Sequence, residues 1–144
     1  MAWSIQQVTH IMEKEIPFNR VLGMETVIEK SSAEEGVFAI RIPFRAELIG
    51  DAGRPALHGG VISALIDTAG GGAAFLVVDE GQRVSTVDMT VDYLQPGPAA
   101  PILATARVVR KGNRVVLANI EVRAEEKDEL IALGRAVYNI HDPR

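Results

Sequence analysis

The run Leu57-His58-Gly59-Gly60-Val61-Ile62-Ser63-Ala64-Leu65-Ile66-Asp67-Thr68-Ala69-Gly70-Gly71 limits the fold of this chain more than any other stretch. It leaves a loop at Pro55 and continues as an apolar helical pattern to about Val78, broken by Asp67 and a run of glycines. A helix apolar nearly all round has to be covered nearly all round. One sheet covers one flank, so the expected remaining cover is a second copy of the chain. The glycine pair Gly59-Gly60 stands where the helix opens, leaving backbone N–H groups bare toward a ligand. Asp67 lies two turns further in, and a lone carboxylate on an apolar helix needs a partner or a function. Each of Gly70, Gly71 and Gly72 costs a helix roughly 1 kcal/mol against alanine. Because Ala73-Ala74-Phe75-Leu76-Val77 follows, the helix is expected to continue, with another backbone crossing close by.

Around this helix the pattern changes to strands. Trp3 to Glu15 reads as a short amphipathic helix ended by Pro17. Met24–Glu29 and Gly36–Ile42 read as strands, and 43–55 as a loop. Val84–Leu94 alternates, which places Ser85, Val87, Met89, Val91 and Tyr93 on one face and Thr86, Asp88, Thr90 and Asp92 on the other. Ile102–Arg110 and Val115–Ala124 flank the turn Lys111-Gly112-Asn113-Arg114, a hairpin by composition, and Leu130–Ile140 follows. Helix, two strands, long helix and four consecutive strands predict an α+β domain over residues 1–144, an antiparallel sheet with helices on one side.

Composition narrows the function classes. A chain of 144 residues, 47% hydrophobic, supports one domain with a core. A net charge of −4 argues against nucleic acid. With no cysteine, disulfides, thiolate nucleophiles and cysteine metal sites are excluded. His10 and His141 have no partner at metal-ligand spacing, so no metal is expected. The start resembles no signal peptide and no uncharged run reaches spanning length, which predicts a soluble cytoplasmic protein without a membrane partner.

Asp67 lies eight residues beyond Gly59, about 12 Å along a helix axis. One reacting carbonyl cannot touch both in one chain, so joint action requires two subunits with antiparallel helices. The chemistry that fits is acyl transfer to water. The Gly59 N–H, at the positive end of the helix dipole, would stabilise an oxyanion. Asp67 of the facing chain would act as general base or as nucleophile. The alternative for Asp67 is a buried carboxylate capping a loop. A Ser63–His58–Asp67 triad is set aside because all three sit on or beside one helix.

His58-Gly59-Gly60, Asp67 and Val87-Asp88-Met89 together resemble the hotdog-fold acyl-CoA thioesterases of the phenylacetate-degradation (PaaI-like) type, from about Met24 to Ile140. The resemblance implies a sheet of five to six antiparallel strands wrapped around a long central helix, plus the short N-terminal helix. It implies hydrolysis of medium-chain or aryl acyl-CoA, no cofactor beyond the coenzyme A of the substrate, and a homodimer or homotetramer. Gly59 would be the oxyanion donor, with Gly60 beside it, and Asp67 the acidic catalytic residue. Thr86 falls where members carry a hydroxyl that helps place the water. Asp51 stands where many members have Asn or Gln holding the thioester carbonyl; an ionised carboxylate cannot donate that bond. His58 reads first as a structural histidine bonded to backbone, with a thioester contact as the alternative. Arg110, Lys111, Asn113 and Arg114, with Arg107 nearby, would contact coenzyme A phosphates or form a solvated turn. Phe44, Leu48, Val61, Ile62, Leu65 and the first helix are expected at the acyl pocket, and Ser63 near the substrate. The competing readings are an acyl-CoA binding module without catalysis and a hydratase on the same fold.

Overall fold

The structure is a computed structural model and describes residues 1–143. Ser4 opens the N-terminal segment as the cap of α1 (Ile5–His10), its hydroxyl accepting from Gln7 N while its own N–H donates to Gln7 Oε1. A π-helical turn, Ile11–Glu15, follows. Pro17 then begins a second helix, α2 (Pro17–Leu22), instead of closing the first. Proline suits that first position because its missing N–H would have no helical partner there. Gly23, at φ 70°, ends α2 in the left-handed conformation.

The strand read over 24–29 is shorter than expected. Only β1 (Glu25–Thr26) pairs, against β2 (Val37–Ile42), and Ile28–Lys30 coils into a 3₁₀ turn. The loop that follows carries a small ribbon, β3 (Ile49–Asp51) with β4 (Ala56–Leu57), which delivers the chain to α3 (Gly59–Leu76). Four long strands complete the chain: β5 (Arg83–Tyr93), β6 (Ile102–Lys111), β7 (Val115–Ala124) and β8 (Glu129–His141). The main sheet has six strands in the order β1-β2-β6-β7-β8-β5, every neighbouring pair antiparallel, and curls around α3. This is the hotdog fold.

Helix and sheet meet through rings and glycines. A Cβ on Gly70 would collide with the Tyr138 hydroxyl, and one on Gly72 with the Phe38 ring. Aromatic side chains of β8 and β2, not a crossing backbone, therefore account for those two glycines. Leu65 and Ile66 are fully buried beneath the sheet. α3 is long and apolar enough to cross a membrane by length and composition, and here it is the buried core helix.

The alternation of β5 changes phase at a bulge. Thr86 faces Tyr138 and Asp88 faces Val137, so Val87 is the extra residue, 63% exposed. Ahead of the bulge Val84 and Thr86 share the inner face; beyond it Met89, Val91 and Tyr93 do, opposite Ala136, Gly134 and Ala132. The sequence pattern placed Ser85 and Val87 on that face instead. β5 is also an edge: one flank pairs with β8 and the other with no strand among the described residues.

Candidate active site

His58 caps α3 from an extended conformation, φ −60° and ψ 133°. Its Nδ1 accepts the Gly60 N–H at 2.7 Å, its carbonyl accepts Val61 N–H at 2.9 Å, and its own N–H donates to Leu48 O at 2.9 Å. The ring thus serves the backbone, and when neutral carries its proton on Nε2. Gly60 is spoken for by this cap. The Gly59 N–H has no acceptor among the described residues. Tyr93, at the far end of β5, donates to Gly59 O at 3.1 Å. A Cβ on Gly59 would rest 3.5 Å from the Tyr93 ring, an ordinary contact.

Two turns along, Asp67 belongs to a different group of partners. Thr86 Oγ1 donates to Asp67 Oδ1 at 2.6 Å, which the bulge makes possible by turning Thr86 inward. Tyr138 Oη donates to the Asp67 carbonyl at 2.8 Å and lies 3.5 Å from Oδ1. Burial raises the Tyr138 phenol far above its ordinary value, and the neighbouring Asp67 charge adds to the shift. Oδ2 has no hydrogen-bond partner among the described residues.

A cavity of about 290 Å³ opens beside Asp67. Ala64, Thr68, Gly71 and Phe75 of α3 form one wall. Met12, Ile16 and Phe18 of the N-terminal segment form another, with Val84 and Thr86 of β5 closing the side. Asn19, 3% exposed, ties that segment down: Nδ2 donates to Met12 O at 3.0 Å and Oδ1 accepts from Thr68 at 3.3 Å. Of the residues expected at an acyl pocket, the first helix region is here. Leu48, Val61, Ile62 and Leu65 lie in the core instead, and Phe44 is at the surface.

The remaining candidates fall elsewhere. Asp51 Oδ1 accepts from Gly53 N at 3.0 Å and Arg54 N at 3.2 Å, and Oδ2 from Arg54 Nε at 3.2 Å. These bonds to Arg54 and Gly53 hold its carboxyl below the usual range and commit it to its own loop. Ser63 Oγ donates back to Gly60 O at 3.2 Å. Arg110, Lys111, Asn113 and Arg114 are exposed on the β6–β7 hairpin, and none of the three cations forms an ion pair among the described residues. The hairpin sits at the end of the sheet where β5 begins, Arg114 O accepting Ile140 N at 2.7 Å. It is therefore on the Asp67 side of the molecule.

Sequence reasoning missed Tyr138, Tyr93 and Asn19. For Tyr138 a signal existed. The inner face of β8 runs Ala132, Gly134, Ala136, Tyr138, one large ring after three small residues. That ring fits the hollow left by the helix glycines.

Residues 55–131 match the family described as the Thioesterase superfamily. The medium/long-chain acyl-CoA thioesterase YigI of Escherichia coli K12 is 33% identical over 138 residues, covering 87% of this chain and 86% of its own. The PaaI protein of the E. coli phenylacetic acid degradation operon superposes with a TM-score of 0.79 at 25% identity, covering 94% of this chain and 91% of its own. A further solved structure from the thioesterase superfamily reaches a TM-score of 0.84 at 32% identity, over 95% of this chain and 98% of its own. With this agreement in motif, fold and extent, the chain belongs to the thioesterase superfamily and is a thioester hydrolase.

Proposed function

We propose that this protein hydrolyses acyl-CoA thioesters with medium-chain or aryl acyl groups, at sites shared between two subunits. The observation that carries the reading is the placement of two groups along one free strand edge. The unpaired Gly59 N–H is fixed at the Tyr93 end of β5, and the Asp67 carboxylate at the Thr86 end. Within one chain they stay about 12 Å apart along the α3 axis.

An unprotected eleven-residue edge is a template for pairing with another strand. Antiparallel pairing of β5 with its copy brings the two ends together. A two-fold axis at Thr90 sets Met89 opposite Val91 of the partner subunit, inner face against inner face. The same axis sets Tyr93 opposite the Thr86–Val87 bulge of the partner subunit. Gly59 of one subunit then approaches Asp67 of the other.

In such a site the thioester carbonyl oxygen accepts from the Gly59 N–H, whose dipole end favours the charge that develops on it. Asp67 takes a proton from water as the water oxygen bonds to the carbonyl carbon; direct attack by the carboxylate is the alternative. Collapse of the tetrahedral intermediate breaks the C–S bond, the leaving thiolate takes back the proton held by Asp67, and coenzyme A thiol and free acid are released. Thr86 positions Asp67, the cavity beside it receives the acyl group, and the hairpin cations meet phosphate.

Subunit mixing tests the shared site. Gly59→Pro removes the N–H at the first helical position, where proline is tolerated, and His58 already has the extended backbone that a following proline requires. Gly59→Pro and Asp67→Asn should each lose about 10²-fold or more in kcat on acyl-CoA. Randomly paired after co-refolding, the two dead variants should recover about one quarter of wild-type activity, since half the dimers carry one intact site. A mixture as inactive as its components would exclude the shared site.

A further inference from the structure

Gly71 is the member of the Gly70–Gly72 run that packing does not explain. Its neighbours are pressed by the Tyr138 and Phe38 rings, whereas a Cβ on Gly71 would sit 3.6 Å from Tyr138 Cε1 and 3.9 Å from Met12 Cε, ordinary contacts both. Its φ lies outside the left-handed region, and alanine would suit the helix better. Nothing inside the chain therefore demands glycine here.

What Gly71 does is line the cavity beside Asp67. Ala64, Thr68, Gly71 and Phe75 follow helical spacing along one face of α3, so the cavity wall runs past the carboxylate toward the end of the helix. A chain attached to a carbonyl at Asp67 and extended toward Phe75 crosses bare backbone at Gly71, with Met12 opposite. Building on the acyl-CoA hydrolysis proposed above, we propose that Gly71 sets the length of acyl chain the enzyme accepts. The absent side chain is the passage through which the distal methylenes of a linear acyl group reach the far end of the cavity.

The test is kcat/KM on straight-chain acyl-CoAs from butyryl to palmitoyl, for wild type, Gly71→Ala and Gly71→Leu, with thermal melting of each protein. For Gly71→Ala the melting temperature should rise, because the helix gains propensity without a clash. Its loss of kcat/KM should grow with chain length, roughly fourfold for each methylene denied a place. Gly71→Leu should move the cutoff to still shorter chains. A length profile unchanged in both variants, or a loss equal at every length, overturns the assignment while leaving hydrolysis standing. Wild type cleaving no acyl-CoA removes the hydrolysis reading itself, and this inference with it.

Discussion

Thr86 Oγ1 lies 2.6 Å from Asp67 Oδ1, a hydrogen bond between the edge strand and the core helix. It exists because one residue, Val87, is left out of the ladder. Without that bulge Thr86 would point to the outer face.

Thr86→Val should therefore lower kcat on acyl-CoA roughly 10- to 100-fold, the range for a hydrogen bond to a charged group. Thr86→Ser should restore most of it, because the hydroxyl returns. Steady-state hydrolysis of both variants decides the point. An unchanged kcat in Thr86→Val would remove the positioning role.

Tyr138→Phe keeps the ring in its hollow and deletes the bond to the Asp67 carbonyl. It should cost about 1–2 kcal/mol in urea unfolding. The pH dependence has a definite sign. Burial raises the folded phenol above its ordinary 10.0, so above pH 10 the unfolded chain loses a proton that the folded one keeps. Stability is retained below pH 10 and falls as pH rises beyond it. In Tyr138→Phe this part of the alkaline loss should vanish.

Gly72→Ala should behave opposite to Gly71→Ala in stability. The added methyl meets the Phe38 ring, and the cost should be about 1–3 kcal/mol. Two alanines one residue apart, one raising and one lowering the melting temperature, would verify the packing directly.

Arg114→Ala should raise KM for acyl-CoA roughly two- to fivefold, the scale of an exposed ion pair, with kcat maintained. Added salt should narrow the gap between variant and wild type. An unchanged KM would leave the hairpin as a solvated turn.

Element order, the central helix and the four closing strands were legible from periodicity, because long patterns average over local exceptions. The exceptions were not. A bulge shifts phase by one residue without altering composition, so β5 read as one unbroken alternation. Pro17 looks alike at the end of one helix and the start of the next; here Ile16 is extended and Pro17 takes the first position of α2. The acyl pocket was sought among the apolar residues nearest His58-Gly59-Gly60. Those lie in the core, whereas the cavity beside Asp67 is lined by Met12, Ile16 and Phe18, on and just after a π turn with no local signature. The bare Gly59 N–H, by contrast, followed from helix geometry alone.

The glycines in α3 also bear on the order of assembly. Three consecutive residues of poor helix propensity weaken the second half of the longest helix by about 3 kcal/mol, so α3 has little tendency to stand alone. The ring that seats against Gly70 belongs to Tyr138 on β8, far downstream of α3 in the chain. The middle of the fold should therefore depend on β8, and a nascent chain halted before β8 should show a frayed α3 in hydrogen exchange.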